Sequence, residues 1–226
     1  MAQRNVLAFV KPVKVEVKKV YQKSTTGYTK KGIRCASAAD PIPLEELTRI
    51  KKYIFENMKT PERNWTLILL GINVGCRCGD LTRLRVGDVW NGSAVKTDIQ
   101  YMAEKTRTWE YMYIRDDLKP EIEKYIRSLD NQSPGAYLFT TRDGNRLTTK
   151  STYKMFHRIS TALKLDFHFS THSLRKTMGK TVYDQYGLKE TREALRQQND
   201  KSTLHYIRED EVERRRVALS LPTIKI

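Results

Sequence analysis

The sequence predicts an α+β fold, mainly α-helical, in which one small antiparallel β-sheet interrupts a succession of helices. Three observations carry this. Apolar residues recur at helical spacing, as at Leu44, Leu47, Ile50, Ile54 and Met58. Residues 65–74 form a nearly continuous apolar segment, which reads as a central helix buried on almost every face. Between residues 94 and 114 the pattern changes to two β-prone segments flanking a charged turn, the signature of a hairpin.

Taken in order, residues 1–40 carry nine Lys or Arg against Glu16 and Asp40 alone, and Val13, Val15 and Val17 alternate with charged neighbours. That predicts a basic, partly extended arm, with a flexible Ser/Thr/Gly/Lys linker at residues 24–32. A single domain with its C-terminal tail is expected over residues 41–226. Pro43 suits the first turn of a helix that ends before Pro61. The strands are expected at residues 94–102 and 109–114, joined by the turn of Glu104, Lys105, Thr106 and Arg107. A helix follows at 117–129, then a short extended element at 137–141 with a turn at Asp143 and Gly144. Residues 149–163 are helical, as is most of the remainder. Residues 199–202 read as a loop before the last helix of the candidate site. A charge-dense helix at 209–219 ends in the apolar tail 219–226.

Composition narrows the function. A formal net charge of +16 over 226 residues points to a polyanionic partner, and nucleic acid is the first candidate. The 26 Asp and Glu residues point to basic surfaces on a folded enzyme and exclude a histone-like tail. No run of about 18 apolar residues occurs, so no membrane span is expected. A secretory signal is also missing from the pattern, so the expected location is the cytoplasm. Cys35, Cys76 and Cys78 are an odd number without a framework spacing, as suits free thiols in a reducing compartment. Cys76 and Cys78 lack a second ligand pair and read as small core residues, diverging if they share a helix.

Four short segments carry chemistry. Residues 71–89 bring Gly75, Arg77, Asp80 and Asp88 directly after the apolar helix, and Glu104, Lys105 and Thr106 form the hairpin turn. Thr171, His172, Arg175, Lys176 and Thr177 open a later helix, and Ser202, Thr203 and Tyr206 lie near the end. In this order they resemble the tyrosine recombinase (phage integrase) family across roughly residues 40–210. The resemblance implies that family's catalytic-domain fold. It makes Arg77 the first catalytic arginine, Lys105 the catalytic lysine, His172 and Arg175 the His-x-x-Arg box, and Tyr206 the nucleophile. Gln197, nine positions before Tyr206, stands where the family usually has histidine or tryptophan. Lys176 stands where a second histidine is frequent.

The residue types fit phosphoryl transfer. A phosphodiester attacked in line gains charge on its non-bridging oxygens, and Arg77 and Arg175 supply fixed, planar, permanently charged donors. Tyrosine must lose its proton to attack, and His172 is the nearest plausible base. The leaving 5′-oxygen needs a proton, for which Lys105 is the candidate acid and Lys96 a weaker substitute. An amide at Gln197 hydrogen-bonds a phosphate oxygen but is neither acid nor base near neutrality. Arginine and lysine cover the charge, so neither a metal nor a cofactor is expected. Double-stranded DNA at recombination sites is the expected partner. The family's habit further implies a homotetramer, C-terminal tails docked between subunits, and accessory DNA-bending proteins. The alternatives are a catalytically inactive DNA-binding regulator with the same fold and a relaxing topoisomerase. Retention of five expected catalytic types in order favours the enzyme.

Overall fold

The computed structural model describes residues 39–207 and 219–220. The basic arm, apart from residues 39 and 40, lies outside the described residues. So do the expected helix at 209–219 and the tail at 219–226, apart from residues 219 and 220.

Helix α1 (Leu44–Asn57) follows Pro43, carries Glu45 and Glu46 in its first turn, and turns Ile50 and Ile54 fully inward. The acidic first turn complements the positive end of the helix dipole. Helix α2 (Pro61–Val74) opens on proline and buries Trp65, Leu67, Ile68, Leu70 and Val74. It ends at Gly75, whose φ of 65° is left-handed backbone that a side chain would strain. Two short helices follow, α3 (Cys78–Leu81) and α4 (Val86–Val89). Strands β1 (Asp98–Met102) and β2 (Trp109–Tyr113) pair antiparallel, Ile99 opposite Met112 and Tyr101 opposite Glu110. Alternation turns Ile99, Tyr101 and Met112 inward and leaves Trp109, Tyr111 and Tyr113 exposed.

A 3₁₀ turn at Asp116–Leu118 leads into α5 (Lys119–Arg127). Helix α6 (Thr149–Leu163) is capped by Thr148, whose hydroxyl accepts the Ser151 N–H at 3.1 Å. Helix α7 (Thr171–Tyr186) starts from a reciprocal Ser170–Ser173 capping box. Helices α8 (Leu188–Ala194) and α9 (Asp200–Ile207) complete the described chain. Helix α2 is central, in contact with α1, α3, α5 and α7, and one core cluster runs from Ile42 to Leu174. Among the described residues no helix is long and apolar enough to cross a membrane.

The expected fold class is the one observed, and beyond shifts of one or two residues at element ends the local structure differs in three main places. The first strand starts at Asp98, because Asn91 Oδ1 accepts the N–H groups of Ser93 and Ala94 and folds that stretch into a turn. The element expected at 137–141 is limited to isolated bridges, Arg85 with Tyr137 and Thr140 with Arg146. The loop expected at 199–202 is already helix from Asp200, since Asn199 Oδ1 takes the Ser202 N–H at 2.8 Å and starts α9.

Candidate active site

Arg77 is placed by a break in the helices. Left-handed Gly75 stops α2, Cys76 and Arg77 are extended, and Arg77 becomes the N-cap of α3 with φ −68° and ψ 146°. Its backbone carbonyl accepts the N–H groups of Asp80 and Leu81. Cys76 and Cys78 therefore do not share a helix, and both are buried beside it. The Arg77 side chain is half-buried, and among the described residues no hydrogen bond or ion pair holds its guanidinium. A half-buried guanidinium without a protein acceptor has its donors free to take an anion.

Arg175 is buried on α7, and its fork is already anchored. Nη1 donates to the Gly75 carbonyl at 2.7 Å and Nη2 to the Leu195 carbonyl, joining the end of α2 to the end of α8. Its guanidinium carbon lies 5.9 Å from the Tyr206 ring centre, and Lys176 Nζ lies 5.2 Å from the same ring. Tyr206 thus reaches back from α9 onto two cations of α7. Its hydroxyl is buried and has no hydrogen-bond partner. Burial raises the phenol's pKa, while the Arg175 guanidinium, acting by its charge and as a distant donor outside full hydrogen-bond geometry, and the Arg77 charge oppose that rise.

His172 lies one turn before Arg175 and is exposed on one side. Desolvation of its inner flank lowers the imidazole pKa below 6.5, and Lys176, Arg175, Arg77 and Lys105 lower it further. The shift favours the neutral imidazole, the form able to take a proton. Lys105 is exposed at the hairpin turn and within electrostatic range of His172. Lys96 is otherwise engaged, its Nζ donating to the Gly87 carbonyl at 2.6 Å. Gln197 follows the close of α8, its N–H bonded to the Arg192 carbonyl, and its Oε1 is buried without a partner.

The geometry thus collects Arg77, Arg175, His172, Lys105 and Tyr206 around one cationic spot, with Gln197 on the neighbouring turn. Over residues 42–213 the sequence matches the phage integrase family. The chain belongs to that family. A probable integrase/recombinase of Bacillus subtilis (strain 168), YoeC, is 28% identical over 170 residues, which are 74% of this chain and 88% of that protein. The fold matches the crystal structure of XerA recombinase with a TM-score of 0.61 at 16% identity, over 85% of this chain and 67% of that one. A λ integrase dimer bound to a COC′ core site gives 0.61 at 17% identity, over 87% and 54%. The Tn1549 transposon integrase in complex with circular intermediate DNA gives 0.59 at 16% identity, over 77% and 66%. The chain spans 54% to 67% of the length of these solved chains.

One residue named in the Arg77 segment of this integrase-family site had no role assigned from sequence. Asp80 is 2% exposed; its Oδ1 accepts the Glu104 N–H at 2.9 Å and its Oδ2 has no partner. Burial raises its carboxyl pKa, and the Glu104 N–H and the Arg77 charge oppose the rise. It pins the turn that carries Lys105 beside Arg77. The available signal was an acidic residue three positions after Arg77, in a segment otherwise rich in small and apolar residues. Among the described residues no group of His, Cys, Asp and Glu could hold a metal ion.

Proposed function

We propose that this chain is a site-specific DNA recombinase, or integrase, that cuts and rejoins strands through a 3′-phosphotyrosine at Tyr206. The observation that carries this is the buried, unpartnered Tyr206 hydroxyl beside Arg175, with the uncommitted Arg77 guanidinium acting on the same group. A surface tyrosine would hydrogen-bond water, and a core tyrosine would find a carbonyl, as Tyr125 does with Leu138.

In the reaction, Tyr206 Oη attacks the scissile phosphorus, and its proton passes to neutral His172. The phosphorus–O5′ bond breaks, and Lys105 protonates the departing 5′-oxygen. Arg77 and the N–H groups Arg175 has left over stabilise the charge on the non-bridging oxygens. The Gln197 amide donates a further hydrogen bond to the phosphate. Attack by the 5′-hydroxyl of a partner strand reverses these steps and rejoins the DNA. Four copies on two duplex sites, with accessory DNA-bending proteins, would complete the exchange in the cytoplasm of a host cell.

The test is a nicked suicide duplex of a sequence selected from a random library by binding to this chain. The wild-type chain should become covalently attached to the 3′ end and remain competent in EDTA. Tyr206→Phe should bind the duplex equally and form no adduct. Lys105→Ala should cleave slowly and recover when sulfur replaces the 5′-bridging oxygen, because sulfur leaves without a proton. A bound wild-type chain that yields no adduct would instead mark an inactive DNA-binding regulator.

A further inference from the structure

Three segments of the candidate site meet at Arg196. Its N–H donates to the Glu193 carbonyl at 2.9 Å, and the next N–H, that of Gln197, reaches back to the Arg192 carbonyl at 2.9 Å. This is the Schellman closure of a helix, and it requires left-handed backbone at Arg196, where φ is 48°. Glycine is the residue such a position favours, because a Cβ is strained there. The strain of that conformation is set against what the arginine side chain gains.

The side chain is fully engaged. Nε lies 3.3 Å from Glu110 Oε2, and Nη2 donates to the Tyr111 carbonyl on the outer edge of β2. Nη1 lies 4.0 Å from Cys76 Sγ, and the guanidinium sits 5.8 Å from the Tyr101 ring centre. These partners are tied to one another: Tyr101 Oη donates to Glu110 Oε2 at 2.8 Å, and Cys76 Sγ donates to Tyr101 Oη at 3.3 Å. The side chains of Arg196 and Glu110 are 24% and 14% exposed, so their attraction is screened less than that of a surface pair. Each contacted segment also carries a residue of the site. Cys76 precedes Arg77, the hairpin carries Lys105 at its turn, and Arg196 precedes Gln197.

We propose that Arg196 is a positioning residue: a clamp that holds the Lys105 hairpin and the Gln197 turn in register with Arg77. Asp80 and Arg83 hold the Glu104 end of the same hairpin turn, the first through the Glu104 N–H and the second through the Glu104 carboxylate. The catalytic consequence of the clamp rests on the recombinase reading. The mechanical consequence does not.

Arg196→Gly separates the two, because glycine relieves the left-handed backbone while removing the clamp. Amide hydrogen exchange of residues 98–113 should rise about tenfold in the variant, while the α2 core stays protected and the melting temperature does not fall. Unchanged hairpin exchange overturns the clamp whatever the enzyme does. A general rise in exchange with a lower melting temperature overturns it as well, in favour of a merely structural arginine. On the selected suicide duplex, adduct formation should slow by about 10- to 100-fold, with affinity for a random duplex within about twofold of wild type. The 5′-bridging sulfur substrate should recover part of that loss, since part of it acts through Lys105. A loss matched by weaker DNA binding, or one that sulfur leaves untouched, overturns the positioning role. Glu110→Gln should slow the reaction in the same way, and the double variant should be no slower than Arg196→Gly. If the wild-type chain forms no adduct, the recombinase reading falls and the exchange comparison alone decides the clamp.

Discussion

At Tyr206 a hydroxyl is buried without a hydrogen-bond partner, an arrangement that lowers the stability of the free protein. Leaving such a group unsatisfied costs about 1–3 kcal/mol, so Tyr206→Phe should leave the melting temperature unchanged or raise it, even as it abolishes the proposed adduct. A clear fall in melting temperature would mean that the hydroxyl has a partner in solution. His172 makes a second prediction. Desolvation and four nearby cations lower its pKa below 6.5, so the neutral imidazole persists as pH falls through that value. The acid limb of adduct formation should therefore lie at lower pH than that of an ordinary imidazole. Arg77→Ala removes one of the cations that lower the pKa and should move this acid limb upward in pH, beyond its effect on the rate. A pH–rate profile of single-turnover cleavage reads both. Burial also pushes the Cys78 thiol up to about 11, so this residue should resist alkylation at pH 7 until the chain is unfolded.

Between elements, a close approach near the nucleophile is at Gly179. A Cβ there would lie 2.8 Å from Leu195 Cδ1 and 3.1 Å from Ile207 Cγ2, so α7 meets the end of α8 and the end of α9 at one point. Gly179→Ala must displace the Leu195 methyl and crowd Ile207, disturbing the seat of α9, which carries Tyr206. We expect a stability loss of about 1–3 kcal/mol, read by thermal denaturation. Cleavage should fall by about tenfold or more, because small misplacements of a reacting group cost large factors in rate. Binding to a random duplex should hardly change, since the affected contacts are internal. Equal cleavage rates in the two proteins would show that α9 adjusts freely and is not positioned by this contact.

For the whole molecule, the +16 charge sets the expected thermodynamics of association. Binding driven by phosphate contacts releases counterions, so affinity for a random duplex should fall steeply between about 50 and 200 mM salt. A flat dependence would refute the electrostatic reading. Residues 1–40 contribute nine of the 42 Lys and Arg residues against two acidic ones, so their removal should weaken binding and flatten the salt slope. Fluorescence anisotropy across a salt series measures both quantities on the same duplex.

The sequence by itself determined the fold class and named most of the residues gathered at the candidate site. Helical spacing at Leu44, Leu47, Ile50 and Ile54 and strand alternation around Ile99 and Met112 are local properties, readable because burial acts on a helix face or a strand face. The identity and order of Arg77, Lys105, His172, Arg175 and Tyr206 are likewise properties of the chain alone. What each side chain would touch was not legible there. That Lys96 Nζ is spent on the Gly87 carbonyl was not readable, although Lys105 was already preferred to it, and Asp80 stood out only through its bond to the Glu104 N–H. Arg175 is fixed by carbonyls 100 and 20 residues away, and Arg196 by a strand 85 residues away. Such partners are chosen when separate elements dock and desolvate one another's polar groups. The tertiary structure therefore decided how the site is held together, because a hydrogen bond across that distance in sequence leaves no local pattern behind it.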